Sequence, residues 1–295
     1  MQQRLTLTLP RSALPQHLKS FLQHWGLSGT YWKKGKAAGI FSVNGKAVFR
    51  DELLQPGDTV QWDFLPEVCT LIPEEAPLEI LYEDDLLLAV NKPAGLITHN
   101  ATVTLLPALS RRLAWYYKKK NLPCAVHPVS RLDKETSGIV LLAKNAWVHH
   151  ALSQCAIQKR YLGLTLGQWE AKEMVLDGPI ARVPGSIIKR QVDPAGLPSR
   201  TLCRVLAEDN NLTLMQFTLK TGRTHQIRVH CAAAGHPLLG DHLYGESGPQ
   251  SRHFLHAWKL SFLRPFTGEP MTLSAPIPED FYQHFPLLRE LGNMV

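Results

Sequence analysis

Two polar stretches carry the residue types that could do chemistry. The first, HPVSRLDKETSGIVLLAKN, runs from His127 to Asn145 and sets one carboxylate, Asp133, between the cations Arg131 and Lys134. Thr136, Ser137 and Gly138 follow, then the apolar run Ile139 to Ala143. The polar half has neither a helical nor a strand period and reads as a loop; the apolar half reads as a short buried strand. A loop that feeds directly into a core strand can hold a reactive side chain rigidly. One framed carboxylate can act as a nucleophile or as a general base. Taken alone, the stretch also fits an ordinary surface loop in which the aspartate and arginine form an ion pair.

The second stretch is TGRTHQIRVHCAAAGHPLLGDHLYG, from Thr221 to Gly245. It holds Arg223, His225, Arg228, His230 and His236, followed by Asp241 and Tyr244. Gly222 permits a turn out of the preceding strand, Thr224 is the expected cap of a helix, and Gly235 ends it. Thr224 and Arg228 are four apart and share a face, so Arg228 can point back toward a loop carboxylate. An arginine fixed beside a buried aspartate keeps it ionised and orients it. The histidines have no carboxylate or cysteine at standard ligand spacing, so no metal site is expected. By itself the helix is equally a core helix with satisfied histidines.

These stretches need elements to position them. Residues 1–70 read as a small αβ module: a helix over Leu14, Leu18, Phe21, Leu22 and Trp25 ended by Gly26, then a basic turn from Trp32 to Lys36. A hairpin at Asn44-Gly45 and a last strand in Leu53–Phe64 complete it. Residues 71–77 close a Pro/Glu-rich linker that begins near Pro66. From residue 78 to 295 the pattern is that of a mixed, largely antiparallel sheet with a few helices, an α+β domain and not a doubly wound one. Within it EILYEDDLLLAVNKPAG gives strand, acidic turn, strand and a Lys92-Pro93 loop, and residues 103–120 give a helix with a basic tail. Ala146–Lys159 fits a helix capped by Asn145, with Val148, Leu152 and Cys155 inward. Lys159–Gly167 and Leu212–Lys220 alternate as strands, and residues 177–200, rich in Gly, Pro and basic residues, read as an exposed arm.

Composition narrows the function. Lys plus Arg number 32 against 25 Asp plus Glu, a formal charge of +7 with pI near 9.2. That excess favours a polyanionic partner such as nucleic acid. No apolar run reaches membrane-spanning length and the N-terminus lacks a signal-peptide core, so a cytoplasmic location is expected. Five scattered cysteines without a CxxC pattern point to reduced thiols rather than disulfides or zinc.

SRLDKETSG together with TGRTHQIRVHCAAAGHPLLGD resembles the signature motifs of the RluA-type pseudouridine synthases. NKPAG at Asn91–Gly95 and the Lys159-Arg160-Tyr161 triplet extend the match, which covers residues 78 to about 275. More weakly, the N-terminal module resembles the degenerate RNA-binding domain that often precedes this catalytic domain. One departure stands out: Ser130 occupies the place where the family commonly has histidine before Arg-Leu-Asp.

The resemblance implies isomerisation of uridine to pseudouridine in RNA, ribosomal or transfer, with no cofactor and no metal. It implies Asp133 as the essential carboxylate, Arg228 as its partner, and Tyr161 packed against the base. Arg131 would contact RNA or fill the vacated space. Lys92, Arg223, Lys189 and Arg190 would meet phosphates. A monomer is assumed. Two rivals remain at this point: a non-catalytic RNA-binding or assembly factor on the same fold, and a glycosidase or nucleotide hydrolase acting on small molecules. The latter would call for a second framed carboxylate, and none is framed like Asp133.

Overall fold

The computed structural model describes residues 4–99, 106–245 and 248–291. Their organising element is a ten-stranded sheet. Its main path runs Glu173–Leu176, Thr201–Asp209, Leu212–Leu219, Gln158–Leu166, Leu255–Leu263, Ser137–Ala143, Leu87–Lys92 and Glu79–Glu83, in that spatial order. Pro270–Ser274 adds to Leu255–Leu263, and the two-residue strand His127–Pro128 adds to Ser137–Ala143. All of these pairings are antiparallel except that of Ser137–Ala143 with Leu255–Leu263. The α+β, largely antiparallel architecture expected from the alternating patterns is the one observed.

Ser137–Ala143 is buried along its whole length. Successive side chains of a strand face opposite sides, so Ile139, Leu141 and Ala143 enter one core cluster and Val140 and Leu142 enter another. The Gln158–Leu166 strand divides in the same way: Leu162 and Leu164 pack under the C-terminal helix Glu279–His284 through Phe281, whereas Tyr161 lies on the opposite face.

Residues 4–63 form a four-stranded sheet, ordered Arg4–Thr8, Thr59–Asp63, Phe41–Val43, Lys46–Ala47, with the helices Leu18–His24 and Gly29–Ala37. The hairpin turns at Asn44 and Gly45, both with positive φ (49° and 79°), as a two-residue primed turn requires. The expected basic turn at Trp32–Lys36 is instead helical. Ser28 caps that helix by accepting the Tyr31 amide, while Tyr31, Trp32 and Gly35 are buried.

The core of this module is continuous with that of the large sheet. Trp62 stacks on Trp147 of the helix Ala146–Gln154 with ring centroids 4.7 Å apart and planes at 24°, and Tyr31, Phe41, Phe64 and Phe266 ring the same indole. The Trp147 indole N–H also donates to the Trp25 carbonyl at 3.0 Å. Residues 66–77 have no regular structure, as their proline content suggests, yet they are not slack. Glu67 pairs with His127 and accepts the Ala146 amide, and Glu74 pairs with Arg112.

Two further differences have simple causes. The helix after Asn145 ends at Gln154, not Lys159, because Gln158–Lys159 is already paired into the sheet with Leu260–Ser261. Thr201–Asp209 is a strand that the sequence analysis does not anticipate. Its outer positions alternate only weakly, and a register shift between Val205 and Ala207 breaks the period. Among the described residues no helix is long and apolar enough to cross a membrane.

Trp147 is 1% exposed. Trp147→Ala is expected to lower unfolding free energy by about 3–5 kcal/mol, the usual range for a buried tryptophan, as measured by the midpoint of urea unfolding.

Candidate active site

The loop that carries Asp133 is fastened almost residue by residue. The Thr98 hydroxyl donates to the Leu132 carbonyl at 2.8 Å and accepts the Leu132 amide at 3.2 Å. Lys92 Nζ donates to the carbonyls of Pro93, Leu96 and Lys134 at 2.9, 2.8 and 3.0 Å. The Thr136 amide closes a turn onto the Asp133 carbonyl. The Thr136 hydroxyl lies 2.8 Å from His253 Nε2, and the Ser137 hydroxyl 2.9 Å from His256 Nδ1. Gly138 has φ 111°, and a Cβ there would sit 2.2 Å from the Ala257 carbonyl oxygen, so only glycine lets the two parallel strands meet. The Thr-Ser-Gly triplet after the aspartate therefore has a mechanical meaning: two hydroxyls and a missing side chain seat the loop on the strand Leu255–Leu263 and on His253 just before it.

Lys92 is thus not a phosphate contact. It is fully buried, and three carbonyls take the three hydrogens of its ammonium. Burial pushes its pKa down to about 7, against the opposing pull of the Glu135 and Asp133 charges. Its role is to hold the loop.

Arg228 lies on the helix Gln226–Ala233, which follows the strand Leu212–Leu219 across a tight turn. Its Nε and Nη2 form a bidentate pair with Asp241, both at 2.8 Å, and its Nη1 reaches Asp133 Oδ2 at 3.3 Å. Arg228 and Asp241 side chains are 8% and 1% exposed, against 28% for Asp133. Burial works against the guanidinium charge, but the hydrogen bonds and charge of Asp241, with the charge of Asp133, outweigh it and raise the Arg228 pKa. Asp241 is itself lowered: desolvation pushes it up, and Arg228 overcomes that. The expected pairing of Arg228 with Asp133 is present. The stronger partner, Asp241, was legible only as a carboxylate after the helix, because its contact depends on the turn at Gly240 (φ 73°).

Thr224 does not cap this helix. His225 occupies the cap position in the left-handed region (φ 58°), and the Gln226 side chain ties the turn by accepting from Thr221 Oγ1 and the Arg223 amide. That turn brings His225 Nε2 to 3.7 Å from Asp133 Oδ2. Both neighbours of Asp133 approach the same oxygen; Oδ1 makes no hydrogen bond among the described residues.

Tyr161 lies in the same pocket, 7% exposed, with its pKa pushed up first by burial and then by the Asp133 charge, so it stays a neutral phenol. The pocket, about 70 Å³, is lined by Arg131, Asp133, Thr136, Tyr161, Arg223 and Arg228, among others. Arg131 and Arg223 are exposed at its rim. A cavity of about 500 Å³ containing Arg182 and Arg190 adjoins it through Arg223, and one of about 560 Å³ containing Lys159 and Lys220 adjoins it through Leu219. Each of the two thus shares one lining residue with the Asp133 pocket and carries cations of its own. The arm is a two-stranded ribbon, Ile180–Arg182 with Arg190–Val192; Lys189 is exposed at its turn, and the Arg190 guanidinium bonds the Ile188 and Lys189 carbonyls. Ser130 is buried, and its hydroxyl has no hydrogen-bond partner among the described residues. Among the described residues no group of three or more His, Cys, Asp or Glu side chains could hold a metal ion.

The sequence profile of the RNA pseudouridylate synthase family matches residues 86–233. Uncharacterized RNA pseudouridine synthase YjbO of Bacillus subtilis is 37% identical over 249 residues, spanning 82% of this chain and 88% of the relative. Ribosomal large subunit pseudouridine synthase D of Xanthomonas campestris is 34% identical over 302 residues, spanning 94% and 86%. Of the solved structures, human RNA pseudouridylate synthase domain containing 1 superposes with a TM-score of 0.56 at 26% identity, covering 69% of this chain and 86% of that one. The antiparallel fold with one gripped carboxylate is therefore that of an RNA-acting isomerase. The chain belongs to the RNA pseudouridine synthase family, of the RluA type.

Asp241→Asn leaves Arg228 a buried charge with half its partner gone and is expected to cost about 3–5 kcal/mol of stability, read by thermal or urea unfolding. His253 gives a pH signature. Burial, then the charge of Arg228, holds its pKa at about 3, below the ordinary 6.5. The unfolded chain therefore binds a proton that the folded chain refuses between those values, and stability falls as pH drops through that window. His253→Gln is expected to flatten this slope in urea titrations between about pH 6.5 and 4.

Proposed function

We propose that this protein isomerises specific uridines to pseudouridine within structured RNA, ribosomal RNA in preference to transfer RNA, with Asp133 as the essential carboxylate. The observation that carries the reading is the placement of Asp133: Arg228 holds Oδ2, Oδ1 makes no hydrogen bond among the described residues, and cavities lined by arginines and lysines adjoin its pocket. The preference for ribosomal RNA is supported by relatives named ribosomal large subunit pseudouridine synthase D, from Nitrosomonas europaea and Xanthomonas campestris among others.

The reaction breaks the bond from ribose C1′ to a uracil nitrogen, turns the base and attaches a ring carbon in its place. No atom is gained or lost, so no redox partner or group donor enters. One carboxylate suffices, as a nucleophile at the sugar or as the base that withdraws a ribose proton. The target uridine must leave its stack to reach Asp133. Arg131, exposed at the rim, is suited to contact the RNA or to occupy the space the base leaves. Tyr161 offers an aromatic face for the base and a neutral hydroxyl beside it. Arg223, Lys189 and Arg190 supply phosphate contacts, and Lys33, Lys34 and Lys36 of the N-terminal helix Gly29–Ala37 extend the basic surface.

Two experiments test this. RNA from cells lacking the gene is incubated with wild-type protein or Asp133→Asn, and pseudouridine is mapped in ribosomal and transfer fractions. Wild type is expected to add pseudouridine at defined ribosomal positions and the variant none; equal maps from both would overturn the assignment. Binding should also weaken steeply with salt, and Arg223→Ala should reduce the log–log salt slope by about 1, as for loss of one phosphate contact.

A further inference from the structure

His225 and Tyr244 form a hydrogen-bonded chain that ends on Asp133. The Arg190 backbone amide, on the arm, donates to the Tyr244 hydroxyl oxygen at 2.9 Å. The same hydroxyl lies 2.7 Å from His225 Nδ1, and His225 Nε2 faces Asp133 Oδ2 at 3.7 Å. A phenol has one proton to give. With its oxygen already accepting from Arg190, the arrangement that uses every group sends that proton to His225 Nδ1. The ring then carries its hydrogen on Nε2, toward the carboxylate. The opposite tautomer would set a nitrogen lone pair against a negatively charged oxygen and leave the tyrosine proton without an acceptor. The Arg228 guanidinium, 5.0 Å above the Tyr244 ring, fixes the phenol from its other side.

We infer that Tyr244 and His225 are positioning residues for the isomerisation: Tyr244 locks the imidazole in the Nε2–H tautomer, and His225 with Arg228 aims Asp133 Oδ2 so that Oδ1 meets the substrate. The inference rests on the proposed reaction at Asp133. The left-handed backbone of His225 (φ 58°) fits this, since it turns the ring toward Asp133 at the start of the helix. Desolvation lowers the His225 pKa against the opposing pull of Asp133, which agrees with a neutral ring. The charged groups around it are Asp133 and Asp241 on one side of the balance and Arg228 and Arg190 on the other. A 3.7 Å separation is long for a hydrogen bond, but catalytic contacts in unliganded sites commonly tighten when substrate enters.

The arm's part is direct. Because the backbone amide of Arg190 donates to the tyrosine oxygen, the position of the arm and the aim of the aspartate are tied together.

The test combines a spectroscopic and a kinetic readout. In nitrogen-15-labelled wild-type protein, the imidazole signals that vanish in His225→Gln are assigned to His225; they are expected to report the Nε2–H tautomer, and to become a tautomer mixture in Tyr244→Phe. Single-turnover pseudouridine formation is expected to fall by between about tenfold and a hundredfold in Tyr244→Phe, the scale of a misplaced reacting group, with the RNA dissociation constant within twofold of wild type. His225→Gln, whose amide N–H stands near the ring Nε2, should retain more activity than His225→Ala. An Nδ1–H tautomer in wild type, an unchanged rate in Tyr244→Phe, or a loss confined to RNA affinity would overturn the inference. Should wild type form no pseudouridine, the proposed reaction fails, while the tautomer measurement still decides the hydrogen-bond chain.

Discussion

One guanidinium shared by two carboxylates sets the geometry of this site. A buried arginine is costly unless its charge and its donors are matched. Asp241 meets most of that demand with two short, parallel hydrogen bonds in full burial. The third nitrogen is then committed in direction, and it faces Asp133. The two aspartates consequently do different work although they touch the same group. Asp241 is enclosed and fixes the arginine; Asp133 is partly open and is held by the arginine at one oxygen only. Had Arg228 presented its fork to Asp133, both oxygens would have been engaged and little of the carboxylate left to react.

Such selectivity is useful only if the aspartate itself stands still. Its loop has no helix or strand to stiffen it, and the restraint comes from single contacts spread over the chain: Thr98 on Leu132, Lys92 on Lys134, His253 on Thr136, His256 on Ser137. All but the part-buried bond from Lys92 to Lys134 are buried, where a hydrogen bond lost is not replaced by water. The parallel pairing at Gly138 brings in the neighbouring strand at the closest approach a backbone allows. A carboxylate on an irregular loop thereby acquires the rigidity of the sheet beneath it.

Much of this could be read from the chain, and what could not has physical reasons. Alternation in Lys159–Gly167 and the continuous apolar run after Gly138 identify sheet strands, because burial on one face or on both leaves a direct pattern. Asp133 and Arg228 stand out through their polar neighbourhoods and the match to a known family. Lys92 misleads: a lysine beside a Pro-Gly turn looks like a surface cation, and nothing local reveals that three carbonyls converge on it. His253, just before the strand Leu255–Leu263, and His256, within it, lie in a stretch whose pattern gives no hint of partners more than a hundred residues earlier. Trp147 likewise shows its role only once Trp62 is folded against it.

The stacked indoles of Trp62 and Trp147 also bear on how a long polymer would be held. Two grips joined by a floppy tether explore many spacings, and their combined strength depends on the reach of that tether. Here the amino-terminal module, whose helix carries Lys33, Lys34 and Lys36, shares one aromatic core with the sheet on which the Asp133 loop is seated. Were one nucleic acid to meet both, their fixed separation would act as a caliper: an RNA of the right span would gain from each, and one with a different bend or stem length would forfeit one. Discrimination among folded RNAs would then become a matter of measured distance as much as of base identity.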